Sequence, residues 1–187
     1  MRSRAGAIAD EALDILGTAC TAVFVFIFLF TFVLKNVTVN GESMENTLYD
    51  GDRIVALSFL YEPKPGDIVF ISSESMKEVI AKRVIAEAGD VLEIDYSANS
   101  VYRNGEKLDE PYVRETMTDR PEFAPDFKDG KSGRYVYRVP FGKYFVLGDN
   151  RNHSTDSRIF GFVTRDEIIC KAYFRYSSDK GGFGTVE

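Results

Sequence analysis

Twenty consecutive residues, Ile15 to Leu34 (ILGTACTAVFVFIFLFTFVL), carry no charge. As a helix rising about 1.5 Å per residue they span about 30 Å, the thickness of a bilayer's hydrocarbon core. A removable signal sequence has a shorter apolar stretch, about 7–15 residues, ending in small residues that mark a cleavage site. This run leaves instead through Lys35-Asn36-Val37-Thr38, which offers no such site. Residues 15–34 therefore read as an uncleaved transmembrane signal anchor, in preference to a cleaved leader or a buried helix. Arg2, Arg4 and the N-terminal amine precede the span and Lys35 follows it, while Asp10, Glu11 and Asp14 count little in the positive-inside rule. By a narrow margin, residues 1–14 are expected in the cytoplasm and everything after the span outside the cell membrane.

From Asn36 onward 152 residues remain, enough for one domain with its own core. That part holds 20 of the 23 basic groups and 26 of the 29 acidic ones, and with them the whole net charge of −6. The acidic excess argues against nucleic acid as a partner. Cys20 lies in the span and Cys170 far along the chain, so no disulfide is expected and the core must carry stability. Apolar runs after the anchor are short, mostly alternate, and are separated by Gly, Pro or Asp, which is the pattern of strands. They cover Arg53 to Ala56, Asp67 to Ile71, Glu78 to Ala86, Val91 to Ile94, Lys143 to Leu147 and Ile168 to Tyr176. Asn104-Gly105 between two short strands predicts a type I′ hairpin, and Pro63 to Asp67 a turn. The expected fold class is mostly β: a closed or strongly coiled antiparallel sheet over 35–180, preceded by one transmembrane α-helix. Residues 113–134 read as a polar excursion between strands, and 181–187 as a flexible tail.

Strict alternation along Glu78 to Ala86 puts Ile80, Lys82, Val84 and Ala86 on one face, opposite Val79, Ala81, Arg83 and Ile85. A lysine among aliphatic neighbours loses water, which disfavours its charge and can lower its pKa to roughly 7–8, where it serves as a base. The same pattern also suits an edge-strand lysine whose stem reaches out to water. Ser43 stands nine positions beyond the anchor, in Val39-Asn40-Gly41-Glu42-Ser43-Met44-Glu45-Asn46-Thr47-Leu48. A nucleophile there meets only substrates that also lie at the membrane surface. The chain's one histidine, His153, permits a Ser43/His153/Asp156 triad on paper, although nothing local orients its ring. One histidine and two separated cysteines build no usual transition-metal site, and no calcium-loop spacing occurs, so neither metal nor cofactor is expected.

Taken in order, the segments resemble the type I signal peptidases, membrane-anchored Ser/Lys proteases of peptidase family S26, in their Gram-positive branch. The resemblance covers the anchor; Gly41-Glu42-Ser43-Met44 with Thr47-Leu48; Gly51-Asp52-Arg53; Lys82-Arg83-Val84; Asn104-Gly105 with Glu110-Pro111-Tyr112; Val139-Pro140 with Gly142; Tyr144 to Arg151; and Ser154 with Asp156-Ser157-Arg158 and Gly161. It implies Ser43 as nucleophile, Lys82 as general base, Ser154 as a serine orienting the lysine, and Asp156 with Arg158 as a supporting polar pair. It implies the Ser43 backbone N–H as one oxyanion donor. Where some members carry a serine as the second donor this chain has Gly41, which leaves that donor unassigned. Val39, Met44, Leu48, Ile54 and Ile80 fall where the family lines shallow substrate pockets. Asn46 stands where a proline is frequent, and Arg83 with Asp149 occupy positions suited to a structural ion pair. The implied partners are membrane lipid and exported preproteins with small residues at the first and third positions before the cut.

Two other functions fit parts of the pattern. A self-cleaving repressor-type regulator shares the Ser/Lys dyad, but this chain has a membrane span in place of a DNA-binding domain. An inactive, membrane-anchored signal-peptide-binding paralogue would not need Ser43, Lys82, Ser154 and Asp156 all intact.

Overall fold

The computed structural model describes residues 4–73, 78–118 and 134–186. Helix α1 (Arg4–Phe28) begins well before the apolar run and continues through one π-helical stretch, Leu29–Val33. Glu11–Val33 has a mean hydropathy of 2.4, and none of its most apolar stretch is buried against protein. That is the surface expected of a helix whose solvent is lipid. No linker follows: strand β1 (Leu34–Thr38) starts at the residue after the helix. The carbonyls at a helix end lack intrahelical donors. Here Ser58 supplies them, its amide bonding Val33 O (3.0 Å) and its hydroxyl Phe32 O (2.9 Å).

The remaining strands are β2 (Arg53–Leu57), β3 (Ile68–Ser73), β4 (Glu78–Ala86), β5 (Val91–Asp95), β6 (Ser100–Arg103), β7 (Glu106–Lys107), β8 (Tyr135–Arg138), β9 (Lys143–Leu147), β10 (Val163–Thr164), β11 (Ile168–Ser177) and β12 (Gly184–Thr185). A one-turn helix α2 (Ser157–Phe160) precedes β10. The larger sheet runs β1-β2-β11-β3-β4-β9-β10, with β12 paired to β11; the smaller runs β7-β6-β5-β8. Pairings are antiparallel in both. All six strands expected from sequence are present within two residues at each end, and Asn104 and Gly105 turn with φ of 54° and 83°, as a type I′ hairpin requires.

The sheet is coiled, and three cores result. Along β3, Ile68 and Phe70 pack with Val39, Met44, Leu48, Ile54, Cys170 and Ala172, whereas Val69 and Ile71 pack with Val84, Val146, Val163 and Ile168. A strand buried on both faces reads as a continuous apolar run, which is why Ile68 to Ile71 shows no polar alternation. The smaller sheet closes a third core against Ile85, Ala86, Phe145 and Leu147.

Strict alternation fails in β4. The register against β9 shifts between Val84 and Ala86, so Ile85 is the extra residue of a bulge and Ala86 joins it in the third core. Ile80 and Val84 keep the shared face expected of them. The tail also differs from expectation. Gly184–Thr185 pairs with β11, and Val186 is 8% exposed, part of the first core. An apolar residue near a chain end orders the end when a core has room for it. Most of the excursion at 113–134 lies outside the described residues; its leading edge docks, with Met117 buried in the third core.

Candidate active site

Ser43 sits in the loop 39–52 that joins β1 to β2. The loop closes on itself where Gly51 N donates to Val39 O and Val39 N to Asp52 O, both 2.9 Å. Gly51, at φ 83°, takes a conformation that a side chain disfavours. Met44 and Leu48 drop into the first core and hold the loop by burial, while Thr47 N and Leu48 N bond back to Met44 O. Ser43 is thereby raised on a buried pedestal.

The segment after β9 grips this loop. Asn150 donates its backbone N–H to Ser43 O and its side-chain Nδ2 to Glu42 O, each at 3.1 Å. Arg83 binds Asp149 through two parallel contacts, Nε to Oδ1 (2.9 Å) and Nη2 to Oδ2 (2.8 Å), with both residues buried. The ion pair expected between them is present, and its paired geometry is the strong form for a guanidinium. Asp149 Oδ2 also accepts from the Thr47 hydroxyl, so one carboxylate ties β4 to the loop that carries Ser43. Tyr112 lies under the guanidinium, 3.9 Å from its ring centre.

Lys82 reaches across from β4. Its Nζ lies 2.8 Å from Ser43 Oγ and 2.8 Å from Ala81 O, and the residue is 3% exposed. Burial lowers the amine from 10.5 to about 8; the Asp156 and Asp149 carboxylates oppose that shift, and the Arg158 guanidinium adds to it. The snorkelling alternative is excluded, because the amine turns into the protein toward Ser43.

Asp156, Arg158 and Ser154, the residues expected to support the pair, lie on the segment that follows β9. Asp156 is fully buried and accepts from Arg158 Nε and Nη2, each at 2.8 Å, and from Gly148 N at 3.0 Å. Burial works against the Asp156 charge, but Arg158 holds its carboxyl below the ordinary range. Ser154 stands against Gly148: a Cβ on that glycine would lie 2.3 Å from Ser154 Oγ and 2.5 Å from Ser43 O. Ser154 Oγ is buried and does not hydrogen-bond Lys82. His153 faces outward at 66% side-chain exposure, with Nε2 3.9 Å from Glu115, and Asp156 is committed to Arg158. The Ser43/His153/Asp156 triad is not assembled.

The model of the family "Signal peptidase, peptidase S26" matches residues 12–177. The chain belongs to the signal peptidase S26 family. Signal peptidase I of Bacillus caldolyticus is 40% identical over 164 residues, which cover 83% of this chain and 86% of the relative. Signal peptidase IB of Staphylococcus aureus is 31% identical over 176 residues, covering 89% and 90%. A crystal structure of a signal peptidase I from Enterococcus faecalis is 29% identical and covers 59% of this chain and 97% of that one, with a TM-score of 0.46. S26 membership sets the chemistry as that of a signal peptidase serine protease, and the curated relatives are Gram-positive proteins.

Gly41, at φ 85°, spends its N–H on Asp50 Oδ1 at 2.7 Å, so that amide is committed inside the loop. Of the residues placed at the substrate pockets, Val39, Met44, Leu48 and Ile54 are buried in the first core, and partly buried Ile80 packs on the second. Sequence reasoning did not single out the roles of Thr47, Gly148 and Asn150. Gly148 to Arg151 stood out as a motif, but only the fold brings that motif against residues more than a hundred positions earlier.

Proposed function

We propose that this protein is a membrane-bound serine endopeptidase that removes N-terminal signal peptides from exported preproteins through a Ser43/Lys82 dyad and an acyl-enzyme. The observation that carries the reading is the buried Lys82 amine, 2.8 Å from the Ser43 hydroxyl oxygen and lowered to about 8. As a neutral amine, Nζ takes the hydroxyl proton while Oγ attacks the scissile carbonyl carbon. The carbonyl oxygen becomes an oxyanion, stabilised by the Ser43 backbone N–H. Collapse breaks the C–N bond, Lys82 passes its proton to the leaving amine, and the signal peptide remains as an ester on Ser43. Water, deprotonated by Lys82, then releases it. Asp156 and Arg158 hold Gly148 and the Ser154 segment in place beside Ser43.

The preprotein lies extended along the loop, with small residues at the first and third positions before the cut. Val39, Met44, Leu48 and Ile54 form the apolar floor beneath those positions, and Ile80 borders them. The anchor holds the domain at the lipid surface, with the N-terminus in the cytoplasm and the catalytic domain outside. Full-length protein in detergent, incubated with a preprotein, should release a mature chain whose new N-terminus follows a small-x-small sequence. Ser43→Ala should release none. Folded parent protein that binds the preprotein and never cuts it would favour the inactive binding paralogue.

A further inference from the structure

The C-terminal segment beyond β11 makes contacts that neither the core nor the dyad requires. Arg175, on β11, is 17% exposed in its side chain and bonds the loop that carries Ser43 through its guanidinium. Nη1 donates to Thr47 O (2.9 Å) and pairs with the buried Asp52 Oδ2 (3.2 Å). Asp52 Oδ2 also accepts from Tyr49 N at 3.0 Å, so the carboxylate and the guanidinium together fix three points of the loop that carries Ser43.

The tail in turn fixes the guanidinium. Gly182 O accepts from Arg175 Nε at 2.6 Å. The backbone at Gly181 lies so close that a Cβ there would stand 2.5 Å from Arg175 Cζ. A turn in which Gly181 N bonds Ser178 Oγ (2.6 Å) sets this approach, and Val186, buried in the first core with its N–H on Tyr173 O (3.0 Å), fastens the far end. Lys180 adds a looser contact, with Nζ 3.6 Å from Glu45 Oε1 in the same loop.

We propose that Arg175 is a positioning residue for the Ser43 nucleophile, and that residues 181–186 form a strap holding its guanidinium against the nucleophile's loop. The proposal rests on the dyad reading above. Its mechanism is indirect: Arg175 bonds Thr47 and Asp52 rather than Ser43, and so immobilises the points between which and Val39 the loop is hung. A planar guanidinium serves three acceptors at once in fixed directions, which a lysine ammonium on a flexible stem does not reproduce. Small displacements of a nucleophile are costly, about a hundredfold in rate for roughly 1 Å.

Three variants of the full chain in detergent test this: Arg175→Gln, Arg175→Lys and Gly181→Ala. The last leaves Arg175 intact and displaces its guanidinium with an added methyl at a position whose backbone accepts alanine. Preprotein cleavage, thermal unfolding, and hydrogen exchange of loop 39–52 are the readouts. Arg175→Gln should lower kcat at least about tenfold with KM within about twofold, at temperatures where the variant is fully folded. Gly181→Ala should move kcat the same way, and Arg175→Lys should recover part of it. Loop amides should exchange faster in the Gln variant while those of β3 and β4 stay as in the parent. Unchanged kcat in the folded Gln variant, or exchange that quickens equally across all strands, overturns the proposal. The exchange arm needs no activity, so a parent that cleaves no preprotein defeats the peptidase reading while loop exchange still decides the strap.

Discussion

Lys82→Met is expected to stabilise the folded protein near pH 7 while abolishing its activity. Lys82 is buried, and that burial lowers its amine from 10.5 to about 8 even against the pull of Asp156 and Asp149. At about 1.4 kcal/mol per unit, such a shift means the charged amine costs the folded state roughly 3 kcal/mol. Below about pH 8 folded and unfolded chains both hold the proton, and the full cost is present. Between about 8 and 10.5 the unfolded chain keeps a proton that the folded chain has released, so parent stability rises with pH across that window. Methionine fills a similar volume without charge, but it forfeits the two 2.8 Å contacts to Ser43 Oγ and Ala81 O. Each lost contact is worth about 1 kcal/mol, leaving a net gain of about 1 kcal/mol at pH 7. For a chain of this size that is about 2–4 °C in Tm. Thermal unfolding of both full-length proteins in detergent, at pH 7 and again near 10.5, measures it. The variant should melt higher at pH 7 and lower near 10.5, where only the forfeited contacts remain. A variant that is less stable at pH 7, or an offset indifferent to pH, refutes the claim that a charged amine is paying for its position.

The same amine sets a pH limb on catalysis: kcat/KM should fall about tenfold per unit below about pH 8, since only neutral Lys82 accepts the proton. A profile flat from pH 6 to 9 would exclude lysine as the base. Gly148→Ala should cut activity about a hundredfold with the fold retained by circular dichroism, because its Cβ would press on Ser43 O and Ser154 Oγ together. Parent-like cleavage by that variant would mean the contact relaxes without moving the nucleophile. His153→Ala should cleave preprotein within about twofold of the parent, as its ring is exposed and paired only loosely with Glu115. A thousandfold loss there would revive the histidine triad.

Much of this was legible along the chain. An uncharged run of bilayer length is a one-dimensional property, since every side chain on such a helix meets the same solvent. Strand positions were readable wherever one face is buried and the other wet, as in Arg53–Leu57 and Val91–Asp95. They blurred where the solvent differs from that pattern: β1 hides its first residue inside the apolar run, and β8 follows directly on a polar excursion. Ser43 and Lys82 were nominated by residue type, spacing from the anchor and the ordered motifs around them.

Sequence alone determined the apolar helix of bilayer length, the β character of the domain, the family and which two side chains the reading above proposes as the reacting groups. These depend on composition, local periodicity and motif order. Tertiary structure decided what those groups can do. It brought Lys82 to 2.8 Å from Ser43 across 39 residues, dried the amine enough to lower it to about 8, and committed the Gly41 amide to Asp50. It also turned a tail that reads as frayed into a strap through Val186 and Arg175. Desolvation, close approach and shared hydrogen bonds are properties of pairs distant in the chain, so no local pattern encodes them.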